Sequence, residues 1–218
     1  TNHEVGYSVQ QTNDGGYIFC GIRDGVNNPY ENFIIKTDSV GNQEWNKIYI
    51  NGNNLNSFQQ TSNSNLKLQK GEEQINCIQQ TSDGGYIFVG SINTFDVYLI
   101  KLDITGDSLW TKTFGGLNND AEGFSVEQTI DNGYIICGYT ETDSILGKQL
   151  LLIKTDSSGH QEWSKGFGGI DSEIGRSVQQ TNDGGYIICG KTKSFGNGKE
   201  DVYLIKTDNQ GNITSTFE

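Results

Sequence analysis

Few side chains in this 218-residue chain could do chemistry, and their types limit what that chemistry could be. The two histidines, His3 and His160, lie in a terminal stretch and in a turn. That is too little imidazole for a histidine-built metal site or a Ser-His-Asp arrangement, and solvation is the expected role of both. Cys20, Cys137 and Cys189 hold one position in three copies of a repeated pattern whose remaining copy has Val89. A position that takes Cys or Val reads as a small buried apolar site. Cys77 stands elsewhere, where the other copies have Ser8, Ser125 and Ser177. Packed sheets lie roughly 10 Å apart, beyond the ~7 Å Cα separation that a bridge tolerates. Four reduced, inert thiols are expected.

The carboxylates fall into a D-x-x-G pattern: Asp38/Gly41, Asp103/Gly106, Asp156/Gly159 and Asp208/Gly211. Its first copy, "KTDSVGNQEW", brings to mind the Asp-box of some propellers, but the Asp-to-Gly and Gly-to-Trp steps are each one residue too long. A sialidase-type centre would also need several arginines, and the chain has only Arg23 and Arg176. No turn carries the dense carboxylate ladder of a calcium loop, so Asx-type turn formation is the better reading. Lys36, Lys101, Lys154 and Lys206 precede the turn aspartates by two residues, on one strand face. Local pairing of Lys36 with Asp38, repeated in each copy, is therefore expected as scaffold. No catalytic residue, metal or cofactor is expected.

These residues recur because the chain repeats. "QQTNDGGYI" appears at 10–18 and again at 179–187, and four copies of the longer pattern follow at about fifty-residue spacing. Each copy reads as four strands. "SVQQT" leads to a tight turn at Asp14-Gly15, Asp83-Gly84, Asn132-Gly133 and Asp183-Gly184, a strong hairpin signal. The next two strands, such as "GYIICG" and "VYLIK", are continuous apolar runs, as expected when both faces are buried. After the D-x-x-G turn a half-polar fourth strand carries Trp45, Trp110 or Trp163; the last copy has Ser215 there. Small antiparallel sheets at this period describe propeller blades. The expected fold is an all-β single-domain β-propeller of four four-stranded antiparallel blades, at about 1–50, 71–116, 117–169 and 170–218. The alternative is a segment of a larger propeller.

Residues 51–70 interrupt the pattern. "SFQQTSNSNLKLQ" inside them aligns with "SVQQTNDGGYIFC", so the insertion reads as a partial repeat or as a polar loop. "TNHEVGYS" aligns with "IDSEIGRS", and no spare strand is evident for closing a ring by strand exchange. Closure would rest on side-chain packing, or the terminal strand would pair with another molecule.

The strings "GNGKEDVYLIKTDNQGN", "DGGYIICG" and "LWTKTFGG" resemble the propeller-type repeats of secreted and cell-surface proteins from bacteria and archaea. The resemblance covers nearly all the chain outside 51–70 and implies an extracellular or cell-surface address, but no reaction. With no methionine and no signal peptide, the chain reads as a processed or excised product. A net charge of −12 argues against nucleic acid and anionic membranes, and no apolar run is long enough for membrane insertion.

Function is expected in the longer connections opposite the tight turns, at 22–32, 91–95, 139–149, 191–200 and between copies, where length and composition vary. Arg23, Asp24, Asn28, Tyr30, Tyr139, Glu141, Lys193 and Glu200 are the candidate ligand-binding residues. Tyrosine beside Asn and Asp could stack on and hydrogen-bond a sugar. The leading expectation is a non-catalytic scaffold or assembly subunit acting through protein–protein contacts, with other subunits or itself as homo-oligomer or filament. A lectin-like module binding glycans is the alternative. An enzyme would need a convergent constellation, which such scattered carboxylates do not suggest.

Overall fold

The computed structural model describes residues 3–24, 31–50, 53–55, 74–92, 96–115, 120–141 and 147–217. These form four antiparallel sheets in chain order, with no helix among the described residues. The first contains β1 (Glu4–Gln11), β2 (Tyr17–Arg23), β3 (Glu31–Thr37) and β4 (Gln43–Ile50), with a short β5 (Asn53–Leu55) added at its edge. The second contains β6 (Gln74–Gln80), β7 (Tyr86–Ile92), β8 (Asp96–Leu102) and β9 (Ser108–Phe114). The third has β10 (Ala121–Gln128), β11 (Tyr134–Glu141), β12 (Lys148–Thr155) and β13 (Gln161–Phe167). The fourth has β14 (Glu173–Gln180), β15 (Tyr186–Thr192), β16 (Asp201–Thr207) and β17 (Ile213–Phe217). Of the 51–70 insertion only β5 falls within the described residues.

Every sheet begins with the same turn. Thr12 N–H donates to the Gly16 carbonyl and Gly15 N–H to the Thr12 carbonyl, with Gly15 at φ 84°. In the third sheet the left-handed position is Asn132, at φ 65°. The turn pair there is thus Asp131-Asn132, one residue earlier than the expected Asn132-Gly133. Asparagine tolerates that conformation. The glycine that follows is needed for another reason: a Cβ on Gly16, Gly85, Gly133 or Gly185 would lie 2.5–2.7 Å from a lysine Nζ and 2.0–2.3 Å from a backbone carbonyl oxygen.

That lysine corrects a second expectation. Lys36 does not pair with Asp38. Its Nζ passes over Gly16 to Asp14 Oδ2 at 2.8 Å, and also reaches the Thr37 carbonyl and Glu44 Oε2, each at 2.8 Å. All three donors of a nearly fully buried ammonium are thereby used. Lys101 likewise meets Asp83, Lys154 meets Asp131 and Glu162, and Lys206 meets Asp183. Asp38 is committed to its own turn, accepting from the Val40 and Asn42 amides at 3.0 and 2.8 Å. One lysine in each sheet thus ties the strand that precedes the second tight turn to the first one.

The sheets pack face to face. The rear of the first (Ile18, Cys20, Ile34, Tyr49) meets the front of the second (Ile78, Tyr86, Phe88, Ile100). Two equivalent cores lie between the second and third sheets and between the third and fourth. Among the described residues no such core joins the fourth sheet to the first.

The turn carboxylates carry a pH dependence. Hydrogen bonds from Lys36, then Thr12 and Gly16, hold Asp14 far below the usual carboxylate range. Burial pushes Asp131 up, but Lys154, Thr129 and Gly133 outweigh it and bring the group down to about 2. A carboxylate depressed in the folded state contributes stability that is complete above its unfolded value, about 3.9 for Asp. That stability disappears as the pH falls through the folded value. Urea midpoints should therefore hold steady near neutrality and decline between roughly pH 4 and pH 2. Asp131→Asn should lower the neutral-pH midpoint and flatten part of that decline; an unchanged acid slope would contradict the role given to this carboxylate.

Candidate functional site

The connections opposite the tight turns hold the expected ligand-binding residues, and most are engaged locally. Arg23 pairs with Glu31 at 3.2 Å, and Asp24 accepts the His3 amide at 2.7 Å. Asn28 and Tyr30 lie outside the described residues. Tyr139 and Glu141 belong to strand β11, which runs into the connection expected at 139–149. The Tyr139 ring is buried, with Lys148 Nζ 3.6 Å from its centroid and Phe124 against it at 6.0 Å. It presents no free stacking face. Glu141 pairs with the same Lys148 at 3.5 Å. Glu200 pairs with Lys191 at 2.8 Å and Lys193 at 3.8 Å, beside an open depression completed by Asp171, Gly198 and Lys199. The described candidates thus fall into separate local contacts, one group in each of three sheets.

Sequence reasoning passed over Glu173, whose carboxylate is fully buried. It accepts from Thr192 Oγ1, Ser194 N–H and Gly169 N–H and so closes the connection into the fourth sheet. Among the described residues no group of three His, Cys, Asp or Glu side chains could hold a metal ion. Of the thiols, Cys20 and Cys137 are buried, and burial pushes both well above the usual thiol range. Cys189, expected to be buried like them, is exposed. The reason is that, among the described residues, no sheet covers the rear of the fourth.

A more informative set of residues sits between the sheets, and it starts from the "QQ" of the repeat. Successive strand residues point to opposite faces, and the two glutamines use that alternation to reach both neighbours. Gln10 Oε1 accepts the Gln80 amide of the next sheet at 2.6 Å, and Gln80 Oε1 accepts the Asn13 amide of the preceding one at 2.8 Å. Gln79 and Gln128 repeat the exchange one sheet later. In the third interface Glu127 takes the forward place, accepting the Gln180 amide at 3.2 Å, and burial raises its pKa. The unpaired edge of the first strand in the second, third and fourth sheets is thereby satisfied from the side. Ser8 and Ser125 accept further amides, Ile78 and Val178, at 3.3 Å.

The outer strands add an aromatic and a cationic contact. Trp45 meets Tyr86 of the next sheet edge-on at 5.7 Å; Trp110–Tyr134 and Trp163–Tyr186 follow, each at 5.8 Å. The indole settles on the glycine of the next D-x-x-G turn. A Cβ on Gly106, Gly159 or Gly211 would lie 2.7–2.9 Å from that ring, and 2.9–3.1 Å from the lysine two residues after the tryptophan. Lys47 goes on to Asp107 at 2.9 Å, and Lys165 to Asn212 at 3.5 Å. Three interfaces share one Trp-x-Lys device.

At the two ends of the stack the device is half made. Tyr17 is 38% exposed where Tyr86, Tyr134 and Tyr186 are 1% exposed, and Val9 is 69% exposed where Ile78 is 2%. Nothing lies within 4 Å of a Cβ on Gly41. At the far end Ser215 and Phe217 stand in place of Trp and Lys, and Val202 and Phe217 are exposed. The substitution at Ser215 is visible in the sequence. The bare front of the first sheet is not, because Tyr17 sits in the same local text as its buried counterparts.

No family model matches the chain, and neither does any curated protein. Among solved structures it is similar to a protein of unknown function from Dyadobacter fermentans DSM 18053, at 11% identity and a TM-score of 0.59. The match covers 94% of this chain and 60% of that one, so this chain spans under two thirds of the neighbour's length. The likeness is one of fold.

Two outcomes follow from the interface geometry. Asparagine is suited to a left-handed turn position, so Gly41→Asn should change stability by no more than about 0.5 kcal/mol. Gly106→Asn must displace Trp45 and should cost about 1–3 kcal/mol, read as a urea-midpoint difference. Thiol titration of the native protein should give one fast equivalent, lost in Cys189→Ser; several fast equivalents would mean that the inter-sheet cores are open.

Proposed function

We propose that the four sheets are blades of a β-propeller and that the chain is a non-catalytic scaffold or assembly subunit working through protein–protein contacts. One observation carries this reading: the end faces of the stack keep parts of a contact set that is complete at each internal interface. Tyr17, Val9 and Gly41 at one end, and Val202 and Phe217 at the other, expose apolar or receptive surface that inner sheets bury. The described carboxylates, lysines and histidine near the turns are occupied in local hydrogen bonds and ion pairs, which supports a structural role over an acid–base one. The repeat resemblance supports a cell-surface or extracellular address. A carbohydrate-binding reading is the weaker one, because Tyr139 lies beneath Lys148.

Native mass by light scattering, with negative-stain images of the same sample, tests the proposal. Regular assemblies heavier than the 24.0 kDa chain are expected. A monomer at every concentration, with an uninterrupted ring in the images, would remove the assembly role.

A further inference from the structure

The front face of the first sheet is more than uncovered apolar surface, because each of its parts is set as in the internal interfaces. Gln11 donates Nε2–H to the Gly15 carbonyl at 3.3 Å, as Gln80 does to Gly84 and Gln180 to Gly184 at 3.3 and 3.4 Å. That bond orients the amide of Gln80 and Gln180 so that Oε1 accepts a turn amide from the preceding sheet. Gln11 Oε1 is turned the same way, and among the described residues it has no preceding sheet to meet. Asn42 donates Nδ2–H to Asp38 at 2.8 Å, as Asn212 does to Asp208 at 2.9 Å. In the fourth sheet that leaves Asn212 Oδ1 to Lys165, and Asn42 Oδ1 is equally placed. Between these polar points lie Tyr17, the apolar Val9 and the open floor at Gly41.

Resting on the reading of the end faces as contact surfaces, we propose that this face is a seat for a further blade of the same repeat, one whose fourth strand carries Trp and, two residues on, Lys. The indole would stand on Gly41 against Tyr17, the lysine would reach Asn42, and a forward Gln or Glu would accept the Gln11 amide. The three internal interfaces are the template. They also argue against the two simplest occupants, this chain's own fourth sheet and the fourth sheet of a second copy. Gln179 and the Asn182 amide could meet Gln11 in either case, so the backbone part of the contact is generic. The outer strand is not: Ser215 is too short to reach Tyr17, and Phe217 has no proton to give Asn42. A second copy would also bring a net charge of −12 against another −12 with no lysine at the point of contact.

The test is a fusion that places a copy of residues 117–169, which carries Trp163 and Lys165, directly ahead of Thr1 of the whole chain. "IDSEIG" after residue 169 and "TNHEVG" at the start then give the same connection length. The fusion should raise the thermal midpoint by about 5 °C or more. Gly41→Asn, near-neutral without the added blade, should abolish the gain. A copy with Trp163→Ser and Lys165→Phe should give little or none. Equal stabilisation by that altered copy would show that the face does not select for Trp-x-Lys, and no gain from either copy would show that it is no seat; both overturn the proposal. Two results on the unfused chain would do the same. One is a dimer that Tyr17→Asp dissociates, which makes a second copy the occupant. The other is a concentration-independent gain from Ser215→Trp with Phe217→Lys that Gly41→Asn cancels, which makes the chain's own fourth sheet the occupant. Assemblies that form regardless of Gly41→Asn, while the fusion gain stands, would locate assembly on another surface and leave the seat intact.

Discussion

A lysine, buried in three of the four sheets and half-buried in the last, is the constraint on which each sheet is built. Removing an ammonium from water costs several kcal/mol unless its protons are matched, and Lys36 matches all three with Asp14, Glu44 and the Thr37 carbonyl. Much of the repeated text follows from that requirement. An aspartate must stand in the first turn, a residue without Cβ must follow the left-handed position, and the strand must kink where lysine gives way to the next residue. The register shift between Lys36 and Thr37 recurs at the same place in all four sheets. Asn132 shows which of the two glycines is negotiable, since it replaces the one that needs only its φ and not the one over which the lysine passes.

With both tight turns tied together, the sheet's faces are free to specify neighbours. They do so in two ways. The inner strand offers side-chain oxygens to backbone amides, a contact that depends little on the partner's sequence. The outer strand offers an indole and an ammonium to a tyrosine, a glycine and an oxygen, a contact that depends on the partner strongly. Aromatic pairs of this kind add about 0.5–1.5 kcal/mol beyond the area they bury. Three such pairs order the four sheets, and the fourth that a symmetric ring would contain is missing at Ser215. Among the described residues, the unspent contacts therefore lie on the end faces more than in the connecting loops.

The loop residues illustrate what sequence variation can reflect. Tyr139, Glu141, Lys193 and Glu200 vary between copies, and each has a local partner of its own: Lys148 meets both Tyr139 and Glu141, and Lys193 meets Glu200. Variation marks freedom from the lysine-and-turn constraint, and that freedom can be spent on local stability as readily as on recognition.

The repeat, the all-β class, the four-strand unit and the odd Ser215 were all legible in the amino-acid order, because turn glycines, apolar runs and period are local properties. Partnership was not. Lys36 and Asp38 are two residues apart and Lys36 and Asp14 are twenty-two, yet the distant pair forms, since Asp38 is consumed by its own turn amides. Cys20 and Cys189 occupy the same local text and differ only in whether a sheet lies over them. The same is true of Tyr17 and Tyr86. Sequence determines what a strand can bury and which turn it can make; which face is covered depends on the next sheet, and that is decided only when the sheets pack.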